Sequence, residues 1–187
     1  MSATMRDRGP DSSGSWSQGG IGLTHRRLKI IDLSAASGQP LVDPIAGLSG
    51  VFNGCIYAEW GTDFVDHLIG MFAVAIVERD TGRVVLARDR LGIKPLYVAD
   101  TPGALRFAST IPALLAGGGV DTSIDPVALH NYLTFHSVVP APRTILRGVR
   151  KLPPATVRVI EADGRTNDRV YWAATFGRHP DRADWSD

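Results

Sequence analysis

A chain of 187 residues fits one domain and is long enough to bury a core of its own. Its 20 basic and 19 acidic residues are interspersed and leave a formal net charge of +1, which excludes a field built for nucleic acid or for an anionic membrane. One cysteine excludes an internal disulfide framework and fits a reducing cytosol, and the longest apolar run, residues 71–77, is far too short to span a bilayer. A cytoplasmic protein is the expectation.

Residues 1–20 are rich in Ser, Gly and Asp, show no period and hold no apolar core of signal-peptide type, so they read as a flexible N-terminal arm. Residues 21–32 suit a strand, with Leu28 and Ile30 on one face and Arg27 and Lys29 on the other. Taken alone, Arg27 belongs to a solvated basic face, although a guanidinium turned into a pocket suits bidentate capture of a carboxylate. A Gly/Pro/Ser/Asp connection then leads to Val51-Phe52-Asn53-Gly54-Cys55-Ile56-Tyr57, read as a strand interrupted by an amide and a glycine. Two readings of that interruption stand side by side. Asn-Gly is a strong hairpin-turn signal; alternatively, the Asn53 side-chain amide and the Gly54 backbone N–H form an oxyanion hole for acyl transfer.

Residues 63–69 suit a short helix with Phe64, Val65 and Leu68 on one face. Residues 71–77 and 83–88 form an expected hairpin around Glu78-Arg79-Asp80-Thr81-Gly82, and residues 95–100 and 104–109 form a second through Thr101-Pro102-Gly103. A short helix over 110–116 should stop at Gly117-Gly118-Gly119, which lacks the Gly-Lys-Ser/Thr ending of a phosphate loop. Asp125-Pro126 offers an N-cap and a first-turn proline for an amphipathic helix carrying Leu129, Tyr132 and Leu133 and ending before Pro140. Residues 152–160 and 169–172 flank the turn Ala162-Asp163-Gly164 as a last hairpin, and residues 173–187 read as a linker. The five histidines, His25, His67, His130, His136 and His179, show no metal-ligand spacing, and no metal is expected.

Several segments, in order, resemble one family. Arg8-Gly9-Pro10-Asp11, His25-Arg26-Arg27-Leu28-Lys29-Ile30-Ile31-Asp32, the Asn53-Gly54 segment, Gly70-Met71-Phe72-Ala73-Val74-Ala75 and, most specifically, Ala87-Arg88-Asp89-Arg90-Leu91-Gly92-Ile93-Lys94-Pro95-Leu96-Tyr97 are similar to signatures of the class II glutamine amidotransferase domain of glutamine-dependent asparagine synthetases. Within that family the chain looks most like the N-acetylglutaminylglutamine amidotransferase branch. The resemblance implies an α+β fold, the four-layer αββα sandwich of N-terminal nucleophile hydrolases with mainly antiparallel sheets, here incomplete. It further implies a domain over residues 21–172 that hydrolyses glutamine to supply ammonia, a linker leading to an absent synthetase domain normally in cis, and pairing of chains in a homodimer as one expected assembly. ATP and magnesium belong to that synthetase domain; no cofactor is expected within this chain.

By the same resemblance Arg27 binds the glutamine carboxylate, Asn53 and Gly54 form the oxyanion hole, and Cys55 stands where the family usually has a glutamate that helps bind glutamine. Two departures matter. The family's nucleophile is an N-terminal cysteine, whereas this chain carries Ser2 at that position, only six positions before Arg8. Tyr57 runs directly into Ala58-Glu59-Trp60-Gly61, where the family has a helix, a strand and an acidic turn, which reads as an internal deletion. Cys55 has no neighbouring histidine or cluster of positive charge in sequence to activate its thiol. Asp89 and Arg90 are expected to order the loop after the hairpin rather than to take part in bond breaking. Three readings follow: a glutaminase domain, a catalytically inactive remnant of one, or a β-rich binding module unrelated to glutamine.

Overall fold

The structure, a computed structural model, describes residues 1–29, 34, 35, 38–51 and 54–176, with only the backbone described at residues 54–56. A 3₁₀ helix, Ala3–Arg8, precedes strands β1 (Ser12–Gln18), β2 (Ile21–Arg27), β3 (Leu41–Asp43) and β4 (Leu48–Gly50). Helix α1 (Gly54–Trp60) and a second 3₁₀ helix, Gly61–His67, lead to β5 (Ala73–Glu78), β6 (Val84–Arg88), β7 (Tyr97–Thr101) and β8 (Ala104–Ala108). Helices α2 (Ile111–Leu115) and α3 (Pro126–Thr134) and strands β9 (Arg150–Lys151), β10 (Thr156–Ile160) and β11 (Thr166–Val170) complete the described elements.

The strands build a six-stranded sheet in the order β11-β10-β6-β5-β4-β3, a two-stranded sheet β1-β2 and a three-stranded sheet β8-β7-β9, with every strand pair antiparallel. Alternation along β5 sets the layers, because successive side chains leave a strand on opposite faces. Val74 and Ile76 join Tyr57, Phe64 and Val65 on one face of the large sheet. Ala75 and Val77 join Leu23 of β2 and Val98 of β7 on the other. Beyond the small sheets, Ala99 and Ala108 pack on Ala113 and Leu114 of α2. The sequence of layers is therefore helix, sheet, sheet, helix, with the second sheet layer divided. All five residues of β6 are buried, as expected of a central strand covered on both faces.

The hairpins around residues 79–83 and 102–103 form as the sequence predicts, with Ile76 opposite Val85 and Val98 opposite Phe107. The last hairpin turns around residues 161–165, and α2 and α3 begin at their expected caps: Thr110 accepts from Ala113 N–H, and Asp125 accepts from Val127 and Ala128 N–H.

Two expectations fail on local grounds. The expected arm over residues 1–20 is a 3₁₀ helix followed by a strand paired with β2 in the register Trp16 to Leu23 and Gln18 to Ile21. No alternation betrays β1 because its inward positions are small: Ser12 and Gly14 stand beside Trp16, and the Gln39 carbonyl approaches Gly14 so closely that a Cβ has no room. The Gly19-Gly20 turn was its one legible signal. The expected strand over residues 51–57 is not what the described residues form: Val51 follows the end of β4, and α1 starts at Gly54, with Phe52 and Asn53 outside the described residues. Val51 N–H still donates to Ala75 O at 3.0 Å, but from Gly54 the chain is helical, and Tyr57 turns its ring edge onto Phe64 with centroids 5.7 Å apart. Burial of that aromatic pair overrides the strand propensity of the run. Residues 173–176 carry no secondary structure, and the rest of the expected linker lies outside the described residues.

Candidate functional site

The Arg8 to Asp11 loop clamps the end of β2. A Cβ on Gly9 would lie 2.5 Å from the Arg26 carbonyl carbon, so only glycine lets the loop lie flat on the strand. Asp11 N–H donates to Arg27 O at 3.1 Å, and the Asp11 carboxylate accepts from Lys29 N–H at 2.7 Å. Arg27 is the last residue of β2, shares the inward side of the strand with Leu23 and His25, and donates from Nη1 to Ser34 O at 2.9 Å. Burial, and next the Arg27 charge, push His25 below its ordinary value, so it stays neutral beside that guanidinium.

A second motif braces the opposite wall. Buried Arg88 donates to Lys94 O at 2.8 Å, Leu152 O at 2.6 Å and Gly92 O at 2.5 Å. Buried Asp89 accepts from the N–H groups of Leu91, Ile93 and Lys94 at 3.2, 2.9 and 2.9 Å. Burial alone would raise the Asp89 carboxyl, but these backbone donors outweigh it and hold the group below its ordinary value. Asp89 thus orders its loop as expected. Sequence reasoning overlooked Arg88, whose three acceptors are carbonyls from residues as distant as Leu152, and Tyr171, whose hydroxyl donates to Arg88 O at 3.0 Å. Burial pushes the Tyr171 hydroxyl up to about 12.

Between the two motifs lies a cavity of about 540 Å³. β2 forms one side, β8 the other, and Ala73 and Ala75 of β5 the floor. Val51 stands in its wall. Among the described residues its lining holds Arg8, His25, Arg26, Lys94 and Arg106 and no Asp or Glu, which favours an anion.

The expected site residues are only partly on view. Arg27 is placed, and Gly54 is the first residue of α1. Cys55 follows it in the helix with its thiol outside the description, and Asn53 lies outside the described residues. Among the described residues no group of three or more His, Cys, Asp or Glu gathers as for a metal ion, and no helix is long and apolar enough to cross a membrane.

The layers and pairing define the class, an α+β sandwich of the N-terminal nucleophile hydrolase type. Glutamine phosphoribosylpyrophosphate amidotransferase from B. subtilis has the same fold with a TM-score of 0.51 at 12% identity, covering 82% of this chain and 35% of that one. An allosteric regulatory enzyme of purine biosynthesis matches with a TM-score of 0.53 at 14% identity and the same coverages.

The glutamine amidotransferase domain family model matches residues 1–59 and 56–172, and the chain belongs to that family. A putative glutamine-hydrolysing asparagine synthetase of Mycobacterium tuberculosis H37Rv is 36% identical over 201 residues, covering 85% of this chain and 30% of the relative. Glutamine-hydrolysing asparagine synthetase 3 of Bacillus subtilis is 26% identical over 215 residues, covering 98% of this chain and 35% of the relative. The chain thus spans about a third of the length of these curated relatives. Both alignments are longer than the stretch of this chain that they cover, so the relatives carry positions without a counterpart here.

Proposed function

We propose that this domain binds glutamine for an asparagine synthetase-like enzyme, in which amide hydrolysis supplies ammonia to ATP-dependent amide formation by a synthetase domain in cis. The observation that carries this reading is the clamp of the Arg8 to Asp11 loop on β2, which fixes Arg27 one residue past the stretch Gly22 to Arg26 that lines a cavity bearing cations. In this reading the Arg27 guanidinium receives the glutamine carboxylate. The Asn53 amide and Gly54 N–H meet the developing oxyanion, and Cys55 stands near the donor. ATP and magnesium act in the synthetase domain; residues 21–172 need no cofactor. A reducing cytoplasm suits the single cysteine, and homodimeric assembly is open to sedimentation analysis.

A second reading, binding without turnover, is favoured by one observation. The only thiol among the 187 residues is Cys55, within α1, and the family's chemistry needs a thiol at a free amino terminus. We therefore expect the 187-residue polypeptide to bind glutamine in calorimetry without releasing glutamate above a boiled control. Replacing Arg27 by Ala should weaken binding at least tenfold. Glutamine affinity unchanged by that substitution overturns the donor-site reading, and glutamate release overturns the inactive one.

A further inference from the structure

A second cavity, of about 380 Å³, lies between the β1–β2 turn and the β5–β6 turn. It shares β2 and β5 with the donor cavity but no lining residue, taking Ile21 and residues 77–79 where the other takes residues 22–26 and 73–75. Its apolar wall is formed by Trp16, Ile21 and Val77, all members of the cluster between the two sheet layers. Its polar wall is Arg79. Nη2 of that guanidinium donates to Asp43 O at 3.0 Å, but Nε is buried with no hydrogen-bond partner, and no carboxylate pairs with the group among the described residues. Glu78, the one acid among the lining residues, faces away. Alternation along β5 sets it with Val74 and Ile76, and its carboxylate accepts from the Tyr57 hydroxyl at 2.6 Å on the opposite face of the large sheet.

We propose that this cavity is a binding site for a small aryl carboxylate, with the ring against Trp16 and Val77 and the carboxylate on Arg79. The volume stands near the lower end of the range of about 300–1,000 Å³ usual for small-molecule sites, which suits a one-ring molecule. A guanidinium set beside apolar walls with part of its donor fork unmet is incompletely satisfied, and a carboxylate brings two acceptor oxygens that match the fork. A neutral ring fills the apolar part and leaves the guanidinium as it was, and an inorganic anion does the reverse; an aryl carboxylate meets both. Bound there, the ligand ties the Gly19-Gly20 turn to the large sheet and steadies β2 from the end remote from the Arg8 to Asp11 loop. The inference rests on this cavity alone and does not depend on glutamine binding.

The test titrates the full chain with 3-phenylpropionate, read by calorimetry and tryptophan emission, against its neutral counterpart 3-phenylpropionamide. The acid should bind at millimolar concentration or below, and about tenfold or more tighter than the amide, as expected of a charge-assisted pair at a partly buried guanidinium. Arg79→Gln should abolish that preference, and Trp16→Phe should remove the emission change. Saturating acid should slow amide exchange in residues 18–21 and leave residues 105–109, which line the donor cavity, unchanged. Circular dichroism checks each variant; if Arg79→Gln does not fold, the ratio of acid to amide affinity and the exchange pattern on the unaltered chain decide. No binding at tens of millimolar acid, equal binding of the amide, a preference that survives Arg79→Gln, an emission change that survives Trp16→Phe, or displacement of the acid by glutamine each overturns the proposal.

Discussion

The two sheet layers differ in how completely they close. In the six-stranded layer, β6 is buried at all five positions and ladders to β5 and β10 on either side, and the loop that follows it is tied by the three bonds of Arg88 and the three of Asp89. In the opposite layer the sheet is split, and Arg27 stands at the end of a two-stranded hairpin held by a loop. Stability and recognition are thereby assigned to different regions. The large sheet is secured by its own core and satisfied polar groups, whereas the candidate donor site depends on the few contacts that fix β2.

If that division is right, the largest effect on stability should come from the loop at the end of β6. Replacing Arg88 by Ala deprives three carbonyl groups of their donor, one of them that of buried Leu152; at about 1–3 kcal/mol for that buried group, with the lost packing of the buried Arg88 stem added, the chain should lose about 2 kcal/mol or more in urea unfolding. A loss below about 1 kcal/mol would remove the distinction between the layers.

Gly9→Ala should do less to the whole and more to the site. The added methyl overlaps the Arg26 backbone and should cost about 1–3 kcal/mol, as overpacking does, while weakening glutamine binding and leaving amide exchange in β5 and β6 unchanged. Exchange that quickens equally in both layers would mean that they unfold as one unit.

Acid should separate the regions with the smallest effects. His25 has a depressed folded value, so its contribution is present above its ordinary 6.5 and is lost as pH falls below it, when the unfolded chain binds the proton more readily. Asp89 is also depressed, from 3.8; its contribution persists to lower pH and is lost only below that value. Stability measured against pH should therefore show a first weak decline that His25→Gln removes and a second that Asp89→Asn removes. A single decline insensitive to either substitution would contradict the assignment.

The hairpins 73–88 and 97–108 and the capped helices were legible because their determinants are local: apolar runs, glycine-bearing turns, and Thr110 and Asp125 at the caps. The two motifs that brace the site were legible as a family resemblance, but the part played by Arg88 was not. A charged side chain reads as surface in sequence, and only the fold brings Leu152 O within its reach. β1 escaped notice for the opposite reason: its inward residues are too small to mark a buried face, and it is a strand only because β2 and Gln39 lie against it.

The amino-acid sequence by itself determined the family and the order of the central hairpins, since each rests on residue types at fixed spacing along the chain. Tertiary structure alone decided that the chain from Gly54 onward is helical, because the outcome turns on the burial of Tyr57 against Phe64. It also decided that the inner layer is split beside the cavity. Strand pairing joins residues far apart in the chain, and an edge left without a neighbour has no signature in the residues that form it.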